Sequence, residues 1–173
     1  MRPTIDQVRG LGDFATLVNW DLQFVVLPSG ISAGSQDLNL RCESTDVPKS
    51  TGQSTQIQIR GLPPIKQPGL YIPSGTIALV FNETVDNTVS RLITQWREMC
   101  YEMKTGKQKK KSEVEAQIRL VRMDRQDKEI YEYMLYGAFL EDYDTGGQLG
   151  AASADVVKPS LTLSYDYFEE KAL

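Results

Sequence analysis

A chain of 173 residues, 40% hydrophobic and 24% charged, can bury one core without help from a metal or a disulfide. Its formal charge of −4 argues against a protein that grips nucleic acid by neutralising phosphates, and no run approaches the length of a membrane-spanning helix. Histidine is absent, which removes Ser–His and Cys–His nucleophiles and histidine-bearing zinc sites and leaves only carboxylate or lysine chemistry to a would-be enzyme.

Residues 1–6 lack the apolar stretch of a signal peptide, so the chain is expected to stay in the cytoplasm where it is made. Cys42 and Cys100 lie far apart within apolar patterns and read as reduced, buried thiols. Sequence does not decide whether they could pair.

In chain order, Trp20, Leu22, Phe24 and Val26 alternate with their neighbours and predict a half-buried strand. A turn-rich connection follows over residues 28–35. Leu38, Leu40 and Cys42 alternate with Asp37, Asn39, Arg41 and Glu43, which predicts a second strand in a hairpin with the first. Residues 46–52 read as a polar loop because Pro48 and Gly52 break regular structure. A third strand carries Ile57 and Ile59 on one face and Gln56, Gln58 and Arg60 on the other. The prolines at 63, 64 and 68 predict an irregular connection over 62–69, and a strand resumes over 76–81.

One helix is expected over residues 85–103. Val89, Leu92, Ile93, Trp96, Cys100 and Met103 recur at spacings of three and four and form its core face. Thr84 or Asp86 would cap its start and Gly106 would stop it. The lysine run at 107–111 reads as a solvated loop that complements the helix dipole, and as a candidate contact for an acidic neighbour.

The C-terminal third is strand-dominated. Val114, Ala116, Ile118 and Leu120 alternate with polar residues, and residues 130–140 form a long run with Tyr131, Tyr133, Tyr136 and Phe139 spread over both faces. Such amphipathic aromatics suit an interface or the edge of a core. Glycine-bearing residues 146–152 predict a loop, and residues 161–168 a final strand. There is no internal repeat and no second core, so residues 1–173 are expected to form a single domain.

No catalytic, cofactor-binding or metal-ligating set emerges. Gly61, Gly69 and Gly75 read as turn glycines rather than a phosphate-binding loop. Glu141, Asp142 and Asp144 cluster at a strand end, but their spacing matches no calcium loop and no second ligand group supports them.

The order of these elements resembles the tail tube proteins of contractile-tailed bacteriophages, which are related in fold to bacteriocin and type VI secretion tubes. Three stretches carry the likeness: residues 40–48 entering an extended loop, residues 73–84 leading into a helix with Arg91 and Trp96, and residues 135–139 through 161–168 with their aromatic close. The proline-rich connection over 62–75 departs in length from many relatives, which leaves main tube and tube-like baseplate component both open.

The resemblance implies a mainly β fold, an antiparallel sandwich or partial barrel with one packed helix, and homohexameric rings stacked into a tube. Four strands per subunit would join a 24-stranded inner barrel. Strands spaced about 4.8 Å apart and tilted near 40° give such a barrel a diameter of roughly 48 Å and an opening on the order of 35 Å, wide enough for duplex DNA. It further implies a structural role in the virion tail without enzymatic activity, DNA passing the lumen unbound during ejection, and sheath, tape measure and baseplate proteins as partners. The polar strand residues Gln56, Gln58, Gln117 and Ser164 are placed toward that lumen, and the loop over 43–54, with Asp46 and Lys49, is expected to bridge stacked rings. The alternatives are a tube-initiating baseplate protein, a secretion- or bacteriocin-type tube subunit, a monomeric ligand-binding barrel lined by the tyrosine-rich strand, and a carboxylate-dependent hydrolase.

Overall fold

The computed structural model describes residues 4–10, 14–31, 34–147 and 155–173. The expected turn residues 32–33 and the loop glycine at 150 with Ala151 and Ala152 lie outside them. In chain order the elements are α1 (Ile5–Arg9), β1 (Trp20–Val26), α2 (Ser35–Arg41), β2 (Cys42–Thr45), β3 (Ser50–Ile57), β4 (Ile65–Pro73), β5 (Thr76–Phe81), α3 (Thr88–Cys100), α4 (Lys111–Val114), β6 (Ala116–Met123), β7 (Glu129–Asp144), β8 (Ser160–Ser164) and β9 (Tyr167–Ala172).

Seven strands form one antiparallel sheet that folds over itself along β7. The first half of β7 lies between β6 and β9, and its second half pairs with β8, which continues to β5 and β2. One half-sheet therefore runs β1-β6-β7-β9 and the other β7-β8-β5-β2. The architecture is mainly β with few helices, as the residue pattern predicts.

The change of half-sheet is localised. Gly137 sits in the middle of β7 at φ +66°, where L side chains are strained. A Cβ there would also lie 2.3 Å from the Asp166 carboxylate. Opposite it the chain passes from β8 to β9, with the Asp166 amide bonded to the Tyr136 carbonyl at 3.0 Å and the Lys111 ammonium paired with the Asp166 carboxylate. The single closing strand expected over 161–168 is thus two strands joined by a corner, because β7 cannot hold one straight partner across its own bend.

Between the half-sheets lies a core of Leu22, Phe24, Ile118, Leu120 and Leu135 from one side and Ile77, Leu79, Phe81, Leu161 and Leu163 from the other. Helix α3 presents Val89, Leu92, Ile93 and Trp96, all buried, to that core. The Trp96 indole donates to the Val114 carbonyl at 2.8 Å, so its one polar atom is satisfied. Cys100 is half-buried and Met103, beyond the helix end, is 68% exposed; Met99 takes the buried place instead.

Several expectations change. The helix begins at Thr88 after Asn87, whose side chain does not cap it, and stops at Cys100, well before Gly106. Glu83 supplies the cap: its carboxylate accepts the amides of Thr84, Val89 and Ser90 and the Ser90 hydroxyl, at 2.7–3.2 Å. Partial burial pushes the Glu83 carboxyl up, but these hydrogen bonds outweigh it and hold the group below its ordinary value.

Residues 35–41 form a helix rather than a strand, with Leu38 in the core and Leu40 85% exposed, and the chain does not hairpin back on β1. Strand pairing begins only at Cys42, and with β5. Val26 is exposed because a bulge between Phe24 and Val26 breaks the alternation of β1. Val114 is buried, but in α4 rather than in the strand that follows.

Residues 50–52 of the loop expected over 46–52 and residues 65–69 of the irregular segment expected over 62–69 belong to a two-stranded ribbon, β3 with β4, separate from the main sheet. Pro68 is tolerated because each strand of a two-stranded ribbon is an edge, where half the amides have no partner to lose. Gly69 is not a turn residue: β4 carries one extra residue there, and a Cβ on Gly69 would meet the Gln53 carbonyl oxygen at 2.8 Å. Both cysteines are free and half-buried rather than buried, and burial pushes the Cys42 thiol up to about 12, which keeps it unreactive.

Candidate assembly surfaces

Alternation along four paired strands gives the β1-β6-β7-β9 half-sheet two different faces. Leu22, Leu120 and Tyr133 stand in register on the core side, as do Phe24, Ile118 and Leu135. The outer face carries Asp21 and Gln23 from β1, Gln117 and Arg119 from β6, Glu132, Met134 and Tyr136 from β7, and Tyr167, Glu169 and Lys171 from β9. Val121 on this side is buried yet stands outside the core cluster.

This polar face is ordered. The Arg119 guanidinium donates to Glu129 at 2.7 and 3.0 Å, to Glu132 at 2.7 and 3.0 Å, and to the Gln23 side chain at 3.4 Å. The Glu129 bond, joined by Glu132, holds Arg119 above its ordinary value, and Arg119 in turn holds the Glu129 carboxyl below its own. Tyr136 stacks on Tyr167 at 4.8 Å between ring centres and donates to Glu169 at 3.2 Å. Tyr131 packs against the Arg122 guanidinium at 4.7 Å and Tyr133 is buried. The tyrosine strand therefore meets protein groups rather than lining a cavity.

The half-sheet ends on two margins. Among the described residues β1 pairs only with β6, and β9 only with β7. All neighbours are antiparallel, so β1 and β9 run in opposite directions and could pair with each other's counterparts in a neighbouring copy without breaking the pattern.

The β3–β4 ribbon is the second surface. Every residue of β3 is exposed, and none of β4 is buried. Ile57 pairs with Ile65 and Thr51 with Ile72, which puts these side chains on one face, while Gln56, Lys66, Ser54 and Pro68 lie on the other. Large apolar groups are left uncovered: Leu70 at 74% and Tyr71 at 73%.

Of the residues singled out by sequence, Gln117 lies on the polar face of the four-stranded half-sheet. Gln56 is on the ribbon, Gln58 just beyond it, and Ser164 on β8 between Thr76 and Phe139, so the four do not share a surface. Asp46 and Lys49 are exposed at the root of the ribbon. Lys107, Lys109, Lys110 and Lys111 are exposed around the α3–α4 connection.

Glu141, Asp142 and Asp144 are exposed at the end of β7. Asp144 accepts the amides of Gly147 and Gly146 at 3.0 Å, bonds that lower its carboxyl. Among the described residues no group of three acidic or cysteine side chains could hold a metal ion, and no helix is long and apolar enough to cross a membrane. The Arg119 cluster escaped sequence reading, although oppositely charged residues at polar positions of two successive strands are the signal that could have found it.

Neither a family model nor a curated protein matches this sequence. Solved structures do. A chain of the anti-feeding prophage baseplate matches with a TM-score of 0.67 and 13% identity, over 92% of this chain and 97% of that one. A chain of the sheath–tube complex of PVC, an extracellular contractile injection system, gives 0.67 and 12% over 99% and 100%. The fold is that of contractile injection system chains. A chain from the cap that terminates the anti-feeding prophage tube adds the same answer, with 0.66 and 10% over 94% and 93%. The resemblance read from the order of elements therefore holds at the level of the fold, across nearly the whole chain.

Proposed function

We propose that this protein is a structural subunit of a tail tube, assembling into homohexameric rings that stack around a channel and acting by assembly rather than catalysis. The observation that carries the proposal is a half-sheet four strands wide whose two margins, β1 and β9, are directionally compatible and each lack a second strand partner among the described residues, in a fold shared with chains of contractile injection systems. Joining β9 of one copy to β1 of the next continues the antiparallel order around a closed barrel and removes both edges.

The polar face then becomes the lumen wall, with Gln117 on it. Asp21, Glu129, Glu132 and Glu169 outnumber Arg119 and Lys171, four acids against two bases. A wall of that sign lets duplex DNA pass without holding its phosphates. Glutamines 56 and 58, with Asp46 and Lys49, belong in this arrangement to the ribbon that reaches the next ring. Sheath, tape measure and baseplate proteins are the remaining partners, and the virion tail the location.

Negative-stain microscopy of the concentrated protein tests the proposal: rings or tubes are expected. A strictly monomeric protein that also fails to add to a preformed tube end would contradict it. The match to a baseplate chain favours a second reading, a tube initiator. Copy number per particle separates them, many rings for a tube and one or two for an initiator.

A further inference from the structure

The two margins of the half-sheet differ in one respect. β9 pairs only with β7, whereas β1 has a side chain on its open side. The Leu22 amide, in the middle of β1, donates to the Asn39 side-chain oxygen at 3.2 Å, and the Asn39 amide nitrogen reaches on to the Asp21 carboxylate. Asp21 is held in turn by Gln23 at 2.7 Å. Asn39 belongs to α2, which packs along β1. Where a second copy's strand would form its ladder, this chain has placed an asparagine.

α2 itself is lightly built. It has seven residues, no side-chain cap at Gly34, and among its described side chains a single fully buried anchor, Leu38, while Leu40 two residues on is 85% exposed. Residues 37–43, which run from α2 without a break into β2, alternate polar and apolar with a period of two, the pattern of a strand. Local pattern and observed helix disagree, which marks a segment with a second accessible conformation.

We infer that α2 is a removable guard over the β1 edge, and that β9 of a second copy pairs with β1 only after Asn39 releases the Leu22 amide. The inference rests on the edge-to-edge assembly proposed above and adds its regulation. A free subunit keeps one margin covered, as isolated sheets must to avoid indiscriminate pairing, and opens it at a growing end where a neighbour's strand supplies the replacement hydrogen bonds.

A synthetic peptide of residues 165–173, the β9 strand, serves as probe against the full-length chain. The variants are Asn39→Ala, which removes the contact, and Asn39→Leu, which keeps its size but has no oxygen to accept the Leu22 amide. Both are expected to bind the peptide about tenfold more tightly than the unaltered chain, the equivalent of about one hydrogen bond, with slowed amide exchange at Leu22 and Phe24. They should also shorten the lag of ring formation in light scattering. Equal affinity in all three proteins overturns the guard, as does failure of the peptide to bind either variant or opposite behaviour of the two. If the peptide discriminates as expected but no chain forms rings at any concentration or adds to a preformed tube end, the guard stands and the tube reading falls.

Discussion

The folded body and the β3–β4 ribbon are built from equally regular antiparallel strands, yet they solve opposite problems. In β7 the buried positions alternate through Tyr133, Leu135, Ala138 and Leu140, and a helix seals the core they enter. In the ribbon β3 has eight residues and β4 nine, and not one of them is buried. An isolated two-stranded ribbon is marginal in water, since it has no face to hide. Hydrogen bonding alone therefore does not decide where a strand is stable; what covers its faces does. The body finds its cover within the chain, the ribbon does not, and in the proposed assembly another copy supplies it.

The sharpest way to test that division is to damage both regions and compare. Trp96→Ala should destabilise the isolated chain most, by about 3–5 kcal/mol, since it empties the helix–sheet contact and orphans the Val114 carbonyl. Urea unfolding followed by circular dichroism reads this directly. A loss under about 1 kcal/mol would mean that α3 is not part of the body's core.

Gly137→Ala is expected to cost roughly 2–4 kcal/mol, because it strains a positive φ and drives a methyl into Asp166 at the bend of β7. The same urea titration measures it, and a neutral result would show that β7 need not bend there.

Glu83 gives a smaller effect with a defined pH sign. Glu83→Gln should cost about 1–2 kcal/mol at neutral pH by weakening the helix cap. The carboxyl is depressed in the folded chain, so its contribution is complete above the ordinary carboxylate range near pH ~4.3 and is lost as pH falls through the lower folded value. The stability gap between the two proteins should therefore close on acidification. A gap that widened would reverse the assignment.

The smallest effect on the free chain falls in the ribbon. Ile57→Ser and Ile72→Ser should change its stability by less than about 0.5 kcal/mol, yet abolish particle formation. Sedimentation of each variant beside its unfolding curve checks both halves of the statement. A large stability loss would mean that the ribbon is covered within its own chain.

Much of the body was legible because periodicity reports burial. The alternation of Ile118 and Leu120, the apolar run from Thr76 to Phe81, and the stripe of Val89, Leu92, Ile93 and Trp96 each follow from a face that meets the core. The ribbon was half legible: Ile57 against Gln56 marks a strand, but Pro68 and the bulge at Gly69 hide its partner, which has no burial pattern to betray it. Residues 35–41 read as a strand because Leu38 and Leu40, two apart, carry a strand's period, while the helix they form buries only the first of them. Gln117 falls on a polar strand face by the alternation of its neighbours, whereas polarity alone groups Gln56, Gln58 and Ser164 with it. Polarity does not say which of several exposed faces a residue joins.

Hydrogen exchange in the assembled particle tests the central claim most directly: the sheet of one molecule is continued by the next. The amides on the outward sides of β1 and β9, and those of the ribbon, should exchange quickly in the free chain, Leu22 excepted, and slow together on assembly. Particles in which the β9 amides exchange as fast as in the free chain would show that this margin stays open, and that the copies meet by some other surface.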